Sequence, residues 1–107
     1  MNSADELRLR HMLEAAHEAM LFAKGRSRID LDENRMLFQA LIRNMEIIGE
    51  AASQVSKELR DTRSGLPWAD VIGMRNRLIH AYFDVDPDII WDTVTQKPQN
   101  FTVLAFR

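Results

Sequence analysis

No cysteine occurs among the 107 residues. A disulfide framework, a thiolate metal site and a cysteine nucleophile are therefore excluded, and the composition suits a reducing compartment. Long apolar runs are missing too. The opening stretch, MNSADELRLRHMLEAAHEAM, spreads charge along its whole length, so neither a secretory signal nor a membrane span is expected. A cytoplasmic protein that does not engage the membrane is the expectation. Glycine is scarce, and its four copies are scattered, so no phosphate-cradling loop can be drawn. No strand-like alternation runs long enough to build a sheet, and no repeat or low-complexity segment is present. Basic excess is absent as well. The net charge of −2 argues against a general, patch-driven binder of nucleic acid.

What is present reads as helix. At 46% hydrophobic residues the chain can build one packed core, and its length fits a single domain over 1–107. A first helix is predicted from Ala4 to Ala23, with Leu9, Met12, Leu13, Ala16, Met20 and Ala23 at three- and four-residue spacings. Asn2 or Ser3 would cap it, and Gly25 would end it. Asp30 and Glu33 have the spacing of a capping box. They head a predicted second helix from Leu31 to Arg60, about 45 Å long, whose core stripe is Leu37, Leu41, Ile48, Ala52, Val55 and Leu59. Gly65 and Pro67 punctuate the next break, and Pro67 suits a first helical position. A third helix carries WADVIGMRNRLIHAYF. A fourth is capped by Asp86, followed by Pro87, with Ile89, Ile90 and Val94 apolar. The expected fold is an all-α antiparallel bundle of four to five helices, with a tail at about 96–107 that shows no period.

Candidate chemistry is sparse. His11 and His17 stand six apart, off the spacing of a helical metal pair, and Asp30, Asp32 and Glu33 lack the glycine and spacing of a calcium loop. No metal and no cofactor are expected. Ser53, Ser56 and Ser64 sit in no nucleophile elbow. Glu46 and Glu50 share a helix face, which permits paired-carboxylate chemistry, but solvated charges or partners for nearby arginines are the plainer reading.

The segment MRNRLIHAYFDVD, Met74–Asp86, is different. It places Arg75, Asn76, Arg77, His80 and Tyr82 within an apolar helical pattern, in a stretch free of acids from Val71 to Phe83. Surface or packing roles would account for them. A phosphodiester site would account for them too. Arginine is a permanent planar cation matched to phosphate oxygens, and histidine exchanges protons near neutrality. RNA brings its own nucleophile in the 2′-hydroxyl, so such a pair could cleave it without a metal. On one regular helix, however, His80 points about 140° away from Arg75. Either the helix unwinds near His80, or a second copy of the chain completes the site across a two-fold axis.

Three blocks in order, IIGEAA (47–52), LPWADVIGMRNRLIHAYFDVD (66–86) and IIWDTV (89–94), closely resemble the HEPN family in its HepT-like branch. The likeness covers roughly residues 4–95. The branch motif, Arg-x4-His-x-Tyr, is met by Arg75, His80 and Tyr82, and Asn76 holds the polar position that often follows the arginine. The resemblance implies a dimeric helical bundle whose motif arginines and histidines line the cleft between protomers. It further implies a metal-independent endoribonuclease toxin, with Arg75, His80 and Asn76 catalytic and Arg77 and Tyr82 contacting RNA. The implied partner is an MntA-type minimal nucleotidyltransferase antitoxin, which in some family pairs transfers AMP to the motif tyrosine, here Tyr82. Added bulk and negative charge beside Arg75 would compete with RNA phosphate. The same cleft could instead serve a non-catalytic dimer that binds a nucleotidyltransferase or a nucleotide. QKPQNFTVLAFR departs from the leucine-patterned last helix of the family, which would leave apolar surface less covered.

Overall fold

Asn2 opens the first helix of the computed structural model: its side-chain oxygen accepts the Asp5 N–H at 2.7 Å, which satisfies one of the orphan donors of helix α1, Ser3–Ala23. Gly25 follows the helix at φ +74°, a left-handed turn that side chains resist. The structure describes residues 2–80 and 85–96, with backbone alone at His80 and Gln96. Tyr82 and the tail from Lys97 onward lie outside the described residues.

The predicted helix from Leu31 to Arg60 is three helices. A single turn, α2 (Asp30–Glu33), is followed by α3 (Arg35–Gln54) and α4 (Lys57–Thr62). The capping box does not form. The Asp30 carboxylate faces backward and accepts the Ser27 N–H at 2.7 Å, and no side chain caps α2. Asn34 leaves helical geometry at φ −126°, ψ 94° and caps α3 by accepting the Leu37 N–H. Val55 is extended, and Ser56 then caps α4. Asparagine and serine bond to nearby backbone in non-helical conformations, and each break falls at one of them. The apolar stripe of Leu37, Leu41, Ile48, Ala52, Val55 and Leu59 is nevertheless buried throughout. It runs straight through the second break.

Helix α5 spans Trp68–His80 and α6 spans Pro87–Gln96, making six helices and no strand among the described residues. Pro67 stands just before α5, and its carbonyl accepts the Val71 N–H. Asp86 caps α6 as expected, accepting the Asp88 N–H at 2.9 Å. None of these helices is long and apolar enough to cross a membrane.

Helix α3 is the centre, packed by α1 on one side and α5 on another, with α6 touching both α1 and α3. The start of α1 bonds to the residue just past the end of α3, so the two run antiparallel. Their seam is lined by Leu9, Met12, Ala16 and Ala19 against Leu41, Ile48 and Ala52. Ala19, not the predicted Met20, faces inward; Met20 is exposed. Each fully buried leucine of this seam contributes about 1.5–3 kcal/mol. A 2.6 Å contact from Arg28 Nε to Asp88 Oδ1 ties the loop after α1 to the start of α6.

Asp5 is the buried charge of the seam. Its carboxylate accepts the Ser56 hydroxyl at 2.6 Å, the Ser56 N–H at 2.9 Å and the Asn2 side-chain amide at 3.2 Å. Those bonds, led by the Ser56 hydroxyl, hold its pKa below the ordinary value of 3.8. The unfolded chain therefore binds this proton more readily. The stabilisation is whole above the unfolded value and is lost as pH falls through the folded one. Thermal melts followed from about pH 7 to about pH 2 are expected to show a steeper acid loss for the wild type than for Asp5→Asn. Parallel curves would show that the carboxylate contributes nothing.

Candidate active site

Helix α5 turns Val71, Arg75 and Leu78 toward the bundle, at four- and three-residue steps. Val71 and Leu78 are buried apolar residues; Arg75 between them is an arginine with the position of a core residue. Room for it comes from Gly49 on α3. A methyl group at position 49 would lie 2.9 Å from Arg75 Cγ and 3.1 Å from the Val71 carbonyl oxygen, so the arginine stem occupies the space a side chain there would take. Gly49 thus sets the approach of α3 and α5 and seats the cation between them.

The head of Arg75 is only partly engaged. Nη1 lies 3.6 Å from Glu50 Oε2, with the arginine side chain 22% exposed and the glutamate 55%. Nε is buried without a hydrogen-bond partner among the described residues. Glu50 is held in turn by Gln54, whose amide donates to Oε1 at 2.8 Å. An ion pair at that distance and exposure is worth little, about 0–1 kcal/mol, so the guanidinium keeps most of its donor capacity for an incoming oxyanion.

That head opens into a groove of about 270 Å³ between α1, α3 and α5. Arg8 and His11 line it from α1, Arg43, Glu46 and Glu50 from α3, and Arg75 from α5. Ile47, Ala51 and Ile79 give it apolar walls. Arg43 Nη1 stands 3.7 Å from Glu46. The two carboxylates that share a face of α3 are therefore partners for arginines, the plainer of the two readings their spacing allows. Among the described residues no three His, Asp or Glu side chains converge to hold a metal ion.

The other motif residues are dispersed around α5. Asn76 is exposed, about 100° from Arg75. Arg77 is exposed on the far side and lines a separate recess with Met74, Leu78 and Val85. Position 80 closes α5, which stays α-helical through it; it lies about 140° round the axis from position 75. No unwinding precedes it. Of the motif residues, only Arg75 lines the groove among the described side chains.

Three contributors escape a reading of the sequence. Gly49 has a faint signal, a glycine inside a helix where alanine would be about 1 kcal/mol better. Arg8 and His11 have none, because charged residues on an amphipathic first helix look alike whichever neighbour they face.

A family model described as "Ribonuclease HepT-like" matches residues 12–104. Among curated proteins, the chain is 39% identical over 89 residues to a candidate RNase of Caldanaerobacter subterraneus, covering 83% of this chain and 80% of that one. It is 35% identical over 85 residues to a candidate RNase of Methanocaldococcus jannaschii, covering 79% and 78%. To a protein of Thermococcus cleftensis named probable ribonuclease HepT it is 42% identical over 57 residues, covering 53% and 52%. No solved structure matches.

Proposed function

The chain belongs to the HepT-like ribonuclease family, and from that premise we propose that it is an endoribonuclease acting in a two-fold dimer. The observation that carries this reading is Arg75, a cation seated by Gly49 at a groove edge with donors to spare. In the reaction, the RNA 2′-oxygen attacks the adjacent phosphorus. The O2′–P bond forms, the P–O5′ bond breaks, and the products are a 2′,3′-cyclic phosphate and a 5′-hydroxyl. The 2′-hydroxyl proton goes to a general base, and a general acid protonates the departing 5′-oxygen. In each of two equivalent sites His80 of one protomer takes the first proton and returns it, as imidazolium, to the departing oxygen, while Arg75 of the other stabilises charge building on the phosphorane. Asn76 assists, and Arg77 and Tyr82 contact the strand. No metal takes part.

A continuous α5 supports the dimer. Arg75 and position 80 diverge on one regular helix, so a site that uses both is best built from two copies. Regulation follows the family pattern: the chain is the toxin of a pair, and an MntA-type minimal nucleotidyltransferase silences it by transferring AMP to Tyr82.

Purified protein in excess EDTA is expected to cut cellular RNA, leaving 2′,3′-cyclic phosphate ends by mass spectrometry. A folded protein whose intact mass carries no AMP and which leaves RNA whole would instead favour the non-catalytic dimer that binds a nucleotidyltransferase or a nucleotide.

A further inference from the structure

We propose that Arg8 forms a second phosphate position in the groove, gripping a backbone phosphate next to the one held at Arg75. The inference rests on the ribonuclease reading and extends its substrate contacts from one phosphate to a strand.

Three arginines line the groove, and two have counter-ions: Arg43 pairs with Glu46 and Arg75 with Glu50. Arg8 is half-buried and has neither an ion pair nor a hydrogen bond among the described residues. Its neighbour Arg10, exposed on the same helix, pairs with Glu6 at 3.5 Å. A partly desolvated cation beside two others is unfavourable unless an anion arrives. The local charge points the same way. The chain is acidic overall, yet this groove holds one arginine more than it holds carboxylates, and His11 stands one helical turn from Arg8 as a further ring N–H donor. That surplus is Arg8 itself, the arginine without a carboxylate, and one further phosphodiester beyond that at Arg75 balances it with its single negative charge. Arg8 and Arg75 sit on different walls, α1 and α5, on either side of the α3 carboxylates. A single bound phosphate is then less fitting than a strand crossing from wall to wall. Arginine's planar fork suits the phosphate oxygens of such a strand.

The test uses 2′-deoxy-oligonucleotides, which cannot be cut by 2′-attack, so binding is read apart from catalysis. A six-nucleotide probe is followed by fluorescence anisotropy against salt, and a dinucleotide with a single phosphate by competition. Arg8→Gln is expected to weaken the longer probe about tenfold and to flatten the log–log salt slope by about 0.7, one single-strand phosphate. The dinucleotide is expected to bind it as it binds wild type. Arg10→Gln should change neither. Arg8→Lys, which keeps the charge, should restore most of the salt slope, and circular dichroism establishes that each variant is folded. Equal losses on both probes would place Arg8 at the reacting phosphate or in the scaffold and overturn the proposal. No loss, or the same loss from Arg10→Gln, would overturn it as well. A length-dependent Arg8 effect in a protein that never cleaves RNA would sink the ribonuclease reading and leave this one standing.

Discussion

A one-to-one mixture of Arg75→Ala and His80→Ala chains, each inactive alone, is expected to regain about a quarter of the wild-type cleavage rate. Alone, His80→Ala should lower cleavage by about 10²–10⁴-fold, the usual weight of general acid–base catalysis. Arg75→Ala should cost about 10²–10³-fold, as removal of a group aimed at transition-state charge does. The recovery comes from geometry. With Arg75 and position 80 pointing apart on a continuous α5, a two-fold dimer has two sites, each taking its arginine from one copy and its histidine from the other. In a mixed dimer both lesions fall in one site and the second is intact. Half of randomly assorted dimers are mixed, and each has one working site, which gives the quarter. The chains are unfolded and refolded together, and mixed dimers are verified by native mass spectrometry. If those dimers are present and cleavage stays at the level of the single variants, each site is drawn from one protomer and the composite arrangement is wrong.

Gly49→Ala and Gly73→Ala are expected to move stability in opposite directions, although both put the same methyl group into a helix. By propensity alone each should stabilise by about 1 kcal/mol. At Gly73 nothing among the described residues lies within 4 Å of the new methyl, so the gain survives and the melting temperature rises by about 4–8 °C. At Gly49 the methyl meets the stem of Arg75 beside its own backbone and the Val71 carbonyl oxygen. Neither is the loose end of a side chain that can swing away. Helices α3 and α5 must separate, an overpacking cost of about 1–3 kcal/mol on top of the forfeited gain. The melting temperature is then expected to fall by about 4–24 °C. Cleavage should fall further than stability does, by up to about 10²-fold, because a shift of about 1 Å at Arg75 misplaces it against the phosphate. A Gly49→Ala protein that melts like Gly73→Ala and cleaves normally would show that the two helices have slack between them.

Much of the fold could be read from the chain, and the failures have a common cause. Asn2, Gly25 and Asp86 mark helix ends because they act within a few residues of themselves, and those ends are where the sequence places them. The stripe from Leu37 to Leu59 is legible because burial follows periodicity. What periodicity hides is the interruption at Val55 and Ser56. There the Ser56 N–H and hydroxyl go to Asp5, 51 residues away, and no local pattern announces a distant acceptor. The site divides in the same way. Arg75 and its motif neighbours stand out as charges in an apolar segment, whereas Gly49 and Arg8 matter only through what α5 and α1 bring beside them. Ala19 is buried where the spacing predicts Met20, and Met20 faces solvent, because two adjacent apolar positions fit the period equally well and only the packed neighbour decides between them.

The packing order of the helices also sets when, during synthesis, the groove becomes whole. Helices α1 and α3 can join once Ser56 has left the ribosome, since Asp5 needs nothing later to complete its bonds. Arg8, His11 and Arg43 are then in place on two walls. The third wall waits for α5 to emerge as far as position 80, roughly one to five seconds behind Ser56 at ordinary elongation rates. A nascent chain thus presents a cationic shelf with no guanidinium at its far edge. On the ribonuclease reading it is harmless to the message that encodes it until α5 has docked and a second copy has joined it.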